Sequence, residues 1–228
     1  MRKPIVFALI GTIFVLGLTA CSGKTTQTTE PENNLQITGG YTMTEQKAVT
    51  LPEDVQAGFN KAAAGKTLIP VALIAQQVVA GTNDMILCQK DGAYRMIVIY
   101  RDLQGNARLS KNTEFKLTDY TNTNGEAKNE VLAGGWSVPS DVTKLPLPDN
   151  AKTAFDKASS GLTGSNIEPM ALLGTQVVAG TNYATLCRVT PVTPDAIPSI
   201  QVVTVYADLQ GNASFTSFCP IDPSKYNS

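Results

Sequence analysis

The chain has 228 residues, with 18 Lys and Arg against 19 Asp and Glu, no histidine and four cysteines; 43% of it is hydrophobic and 16% charged. Without histidine there is no Ser-His-Asp or Cys-His catalytic pair and no imidazole metal site. The near-zero net charge offers no basic footprint for nucleic acid, and the sparse charge lets most of the chain bury a core rather than stay disordered.

Arg2 and Lys3 form a positive start, followed by an apolar run of fourteen residues from Ile5 to Leu18. That run is short for a membrane span and suits a secretory signal over residues 1–20. It ends in Leu18-Thr19-Ala20-Cys21, which resembles a bacterial lipobox. The resemblance implies cleavage before Cys21, lipidation of that cysteine, and a protein held on the bacterial cell membrane facing away from the cytoplasm. Two or more acyl chains anchor stably, since each buried CH₂ contributes about 0.8 kcal/mol and one chain alone is marginal. Residues 21–36, rich in Thr and Ser, read as a flexible tether.

The remainder is one unit written twice. Gly39-Gly40-Tyr41 recurs as Gly134-Gly135-Trp136, offset 95, and Leu51-Pro52 through Gly65 as Leu147-Pro148 through Gly161, offset 96. Gln77 to Asn83 recurs residue for residue as Gln176 to Asn182, offset 99, and Asp102 to Ala107 as Asp208 to Ala213, offset 106. The order is kept and the offset grows only at loops. This predicts two domains, over residues 37–125 and 132–228, each owning its core.

In each copy Leu-Pro followed by acidic residues starts a helix, because proline and negative charge suit the first turn. Val55, Phe59, Ala62 and Ala63 then fall on one stripe, and Gly65 stops it. Only strands follow. Leu68 to Ala80 is long and apolar, Met85 to Gln89 returns, Asp91-Gly92 is a hairpin signal, and Tyr94 to Leu103 turns at Gln104-Gly105-Asn106 into a strand from Ala107 to Leu117. In the second copy a proline-rich stretch from Thr190 to Ser199 replaces the tight turn. The expected unit is β-α-β-β-β-β: an α+β fold with one helix on a four- to five-stranded antiparallel sheet.

A glycine pair, one helix, then a strand ending in Gln-x-Val-x-Gly is a pattern that resembles the cystatins, and QVVAGTN is similar to the first hairpin of the disulfide-free, stefin-type members. The family is one of reversible inhibitors of papain-like cysteine proteases. The resemblance implies an inhibitory hairpin at Gln77, Val78, Val79, Ala80 and Gly81, and again at Gln176, Val177, Val178, Ala179 and Gly180. It implies an N-terminal trunk at Gly39-Gly40 and Gly134-Gly135. The second hairpin falls at Leu103, Gln104, Gly105 and Asn106, and at Leu209, Gln210, Gly211 and Asn212. Trunk and tips would together fill a protease cleft. Tip valines bury apolar area, glycine at the exposed tip lets backbone approach backbone, and rigid turns limit the entropy lost on binding. The chain departs from the family in the second hairpin, which carries no Pro-Trp.

Other residues read structurally. Tyr41 and Trp136 suit sheet packing, and Cys88 and Cys187 suit burial in apolar strands. Cys219 leaves a pairing with Cys187 open. Asp102 and Asp208 cap turns, one carboxylate per turn being too few for calcium. No cofactor, metal or catalytic residue is expected. The alternative to inhibition is a non-inhibitory cell-envelope binding or scaffold lipoprotein that recognises protein or glycan.

Overall fold

A computed structural model describes residues 40–43, 50–121, 135–140 and 146–226. The signal segment, Cys21, the tether, Gly39, Gly134 and the join between the two copies lie outside the described residues. Among the described residues no helix is long and apolar enough to cross a membrane.

The first copy runs β1 (Tyr41–Met43), α1 (Glu53–Ala62), β2 (Ile69–Val79), β3 (Gly81–Lys90), β4 (Ala93–Arg101) and β5 (Ala107–Phe115). The second runs α2 (Asp149–Ser159), β6 (Ser165–Val178), β7 (Gly180–Pro191), β8 (Ser199–Ala207) and β9 (Ala213–Pro220). All pairing is antiparallel, in the orders β1-β2-β3-β4-β5 and β6-β7-β8-β9. The Gly-Gly segment of the second copy gives only an isolated bridge, Ser137 to Thr175, where the first copy has β1. Asp91 and Gly92 take φ of 51° and 76°, the left-handed pair that a two-residue hairpin of matching twist demands.

The expected class, α+β in two self-contained domains, is corrected. Sheet dominates, and the two sheets are not independent. Alternate residues of β3 and β4 point to opposite faces, and both faces are buried. Met85, Leu87, Tyr94, Met96 and Val98 point inward, to a cluster shared with Met170, Leu173, Leu186, Ile200 and Val202 of the second sheet. Ile86, Cys88, Ile97 and Ile99 point outward, to Val55 and Phe59 of α1. On the far side Cys187, Val203 and Val205 meet Ala151 and Phe155 of α2. The layers are therefore helix, sheet, sheet, helix, with the largest core between the sheets. The physical reason is that one helix covers one face of a sheet, and these strands are apolar on both.

The two copies meet as an isologous pair on a single chain. Tyr120 and Tyr226, corresponding residues 106 apart, share a hydrogen bond of 2.7 Å between their hydroxyls. Tyr94 donates its hydroxyl to the Leu173 carbonyl across the sheets at 2.8 Å, and Gln89 donates to the Pro139 carbonyl at 2.8 Å. Tyr41 and Trp136 pack against this shared core, so the trunk aromatics are sheet packing. Cys88 and Cys187 are free, buried thiols; the 187–219 bridge is not formed. Burial raises both thiol pKa values, so neither is a reactive thiolate.

Candidate protein-binding edges

Register places the three proposed contact segments of the first copy at one end of one sheet. Tyr41 pairs with Gln77, Gln77 with Asn83, Asn83 with Tyr100 and Tyr100 with Arg108, a single row across all five strands. Beyond that row lie Gly40, the β2–β3 tip at Val78 to Gly81, and the β4–β5 tip at Asp102 to Asn106. With strands spaced about 4.8 Å apart, the tips sit about 10 Å from each other. In the second copy Gln176 pairs with Asn182, Asn182 with Tyr206 and Tyr206 with Ser214, and Gly135 lies two residues before the Ser137 bridge on the same side. Both edges lie at the ends of their sheets remote from the Tyr120–Tyr226 pair.

The tips are apolar and wet. Val78 is 74% exposed and Leu103 81%; Val177 is 68% exposed and Leu209 80%. Val79 and Val178 are also exposed. Among the described residues six of the ten exposed large hydrophobic side chains thus fall on these two edges, though scattered single exposures are ordinary. The second hairpin lacks an aromatic residue, but its leucine supplies an apolar knob.

The glycines are not where the sequence reading placed them. Gly81 and Gly180 are buried behind the tips rather than exposed on them. Their φ values are 127° and 129°, which side chains rarely adopt. A Cβ on Gly81 would stand 2.2 Å from the Arg101 carbonyl oxygen, and one on Gly180 2.3 Å from that of Ala207. Each glycine is required by its own sheet, not by a partner's backbone. Gln77 and Gln176 also have a local role, their side-chain carbonyls accepting from Asn83 and Asn182 at 2.8 and 2.9 Å.

Both tips are held by their surroundings. The Tyr100 hydroxyl donates to the carbonyl of Ala80 at the first apex, and the Tyr206 hydroxyl to that of Ala179. At the second tip Asp102 Oδ1 accepts from the backbone of Gln104 and Asn106 at 3.0 and 2.8 Å, while Oδ2 accepts from the Asn106 amide at 2.8 Å. Asp208 repeats the pattern with Gln210 and Asn212. The Asn106 and Asn212 side chains, with the turn amides, hold both carboxyls below their ordinary pKa. These carboxylates are spent on the turns, as turn caps. Lys61 and Lys157 donate from the helices to the Gly105 and Gly211 carbonyls at 2.9 and 2.7 Å.

Sequence reasoning missed Tyr100, Tyr206, Lys61 and Lys157. The signal was present: Tyr100 and Tyr206 stand 106 apart and Lys61 and Lys157 stand 96 apart, the offsets of their own repeat blocks. The Gly39 and Gly134 members of the trunk lie outside the described residues. Among the described residues no group of three metal-ligating side chains stands together.

The chain matches no known family model, no curated protein and no solved structure, so the reading of these edges rests on their own geometry.

Proposed function

We propose that each copy presents its edge as a rigid wedge to a cleft of a partner protein, and that the partner is a papain-like cysteine protease inhibited reversibly. The observation that carries this reading is the alignment, twice over, of a trunk and two exposed apolar hairpin tips on one sheet end. Val78, Val79 and Leu103 of the first copy, and Val177, Val178 and Leu209 of the second, are the side chains that would enter. Fully burying one such side chain contributes about 1.5–3 kcal/mol. Most of that gain survives only if the tips are already ordered, because association and loop ordering cost several kcal/mol. The Ala80 and Ala179 carbonyls, at the apices, are engaged by tyrosine hydroxyls of their own sheet. Those bonds hold each apex in one conformation before a partner arrives, which limits the ordering cost of binding. We also propose that Cys21 is lipidated and holds the protein on the bacterial cell membrane, facing away from the cytoplasm.

The test uses both copies together, since they share a core. A soluble chain of residues 37–228 is titrated against papain, beside Val78→Glu/Leu103→Glu and Val177→Glu/Leu209→Glu variants. Inhibition by the parent is expected. Each double variant should abolish one of two binding stoichiometric equivalents and leave thermal unfolding unchanged, because the mutated side chains are exposed. A parent that does not inhibit at high micromolar concentration ends the protease reading and leaves the non-inhibitory binding module. Mass spectrometry of the mature N-terminus decides the lipidation: an unmodified Cys21 ends that claim.

A further inference from the structure

We propose that Tyr100 and Tyr206 are the positioning residues of the two edges, latches that hold each first hairpin tip in its binding conformation. The proposal rests on the reading of the edges as binding wedges. A single residue, Ala80, joins Val79 of β2 to Gly81 of β3, and Ala179 does the same between β6 and β7. At such an apex the carbonyl normally faces water. Here it accepts a phenol hydroxyl from the next strand over, since Tyr100 pairs with Asn83 on β3 and reaches past the strand end to Ala80.

The ring and the glycine form one unit. Tyr100 Cε2 lies 3.0 Å from where a Gly81 Cβ would stand, and Tyr206 Cε2 2.8 Å from that of Gly180. Only glycine leaves room for the ring to lie across the strand end and deliver its hydroxyl to the apex. The string shared by the two hairpins, Gln-Val-Val-Ala-Gly-Thr-Asn, is thus matched by a tyrosine outside it that is also present in both copies. The rest of the support differs. In the first copy the Arg108 guanidinium carbon lies 5.0 Å over the Tyr100 ring, whereas Ser214 stands at the corresponding place beside Tyr206. A cation over the ring adds attraction on its outer face. The first latch is therefore doubly supported and the second relies on its hydroxyl.

Tyrosine-to-phenylalanine substitution separates positioning from packing, because the ring stays and only the hydroxyl is lost. The experiment is amide hydrogen exchange on the free chain of residues 37–228, with papain inhibition measured in parallel. In Tyr206→Phe, exchange at Ala179 to Thr181 should quicken about fivefold, the factor one neutral hydrogen bond is worth. Exchange in the β7 and β8 centres should be unchanged. Tyr100→Phe should show a smaller local increase, and Tyr100→Phe/Arg108→Ala should match Tyr206→Phe. Inhibition should weaken through faster dissociation. Unchanged exchange at the tips overturns the latch whatever inhibition does, as does an increase spread over the whole sheet. Failure of the parent chain to inhibit overturns the wedge reading instead, while the exchange data still decide the latch.

Discussion

The two copies carry the same edges on different supports. In the first copy Arg101 ties sheet to helix: its Nε donates to the fully buried Asp84 at 2.5 Å and its Nη1 to Asp54 of α1 at 2.8 Å. The hydrogen bond that Arg101 donates to Asp84, above all, raises the Arg101 pKa. Gly58 makes room, since a Cβ there would meet Arg101 Cδ at 2.5 Å. In the second copy every member of the set is replaced: Ala207 for Arg101, Tyr183 for Asp84, Asn150 for Asp54 and Ala154 for Gly58. Rings do the work instead. Phe155 meets Phe215 edge-on at 5.5 Å, and Phe215 meets Phe218 at 5.2 Å. The space of the missing arginine is an open cleft of about 270 Å³ bordered by Asn150, Ala154, Lys157, Ala207 and Gly211. Two chemically unlike supports thus hold identical tips. The exposed residues of those tips add little to either core, so their retention in both copies favours a role outside folding.

The largest expected effect comes from pulling the copies apart. Expressed alone, residues 37–125 would expose Met85, Leu87, Met96 and Val98, a face built to be covered. No soluble folded monomer is expected from either half, and co-expression with residues 132–228 should restore one folded species by gel filtration and near-ultraviolet circular dichroism. A half that folds as a monomer would break the shared core. Next in size is the buried ion pair. Arg101→Ala leaves the Asp84 carboxylate buried beside nothing positive, a loss of about 3–5 kcal/mol in urea unfolding. Converting the first copy to the second copy's solution, Gly58→Ala/Asp84→Tyr/Arg101→Ala, should recover most of it, because the charge to be compensated is gone. A single variant that costs no more than a surface change would mean that water reaches Asp84, and the contrast between the copies would weaken.

How much of this was legible depends on what a pattern encodes. The strand positions, the two helices and the left-handed turns follow from apolar runs, Leu-Pro starts and Asp-Gly or Gln-Gly-Asn signals, all local. The alignment of trunk and tips follows from strand order once the hairpins are known. The packing of the copies on each other was also written in the chain, in the runs Met85 to Cys88, Met96 to Ile99 and Ala184 to Cys187, which hold nearly no polar residue. A sheet with one solvated face alternates; these do not, and a single helix covers only one face. The burial of Gly81 and Gly180 was not legible, because it depends on Tyr100 and Tyr206, 19 and 26 residues away and one strand beyond the hairpin. Nor was the exchange of an ion pair for rings, which appears only when Asp54, Asp84 and Arg101 are brought together from three elements.

The smallest expected effect tests the comparison inside the shared core. Val98 of the first copy faces the second sheet; its counterpart is Thr204, equally buried, whose Oγ1 finds no hydrogen-bond partner. Opposite it on β9 stands Ser217, whose hydroxyl is likewise unpartnered and whose own counterpart on the edge strand β5 is the half-buried Lys111. A buried hydroxyl without a partner costs about 1–3 kcal/mol in desolvation, and valine has the shape of threonine. Thr204→Val should therefore stabilise the protein by about 1 kcal/mol, raising Tm by roughly 2–4 °C for a chain of this size. The reverse change, Val98→Thr, should cost a similar amount. Because Thr204 and Ser217 are cross-strand neighbours, the pair must be tested as a cycle. Additive gains from Thr204→Val and Ser217→Ala would show two separately orphaned hydroxyls. A destabilising Thr204→Val, rescued by Ser217→Ala, would show instead that the two bond each other, and that the second sheet has a polar clasp where the first has only valine.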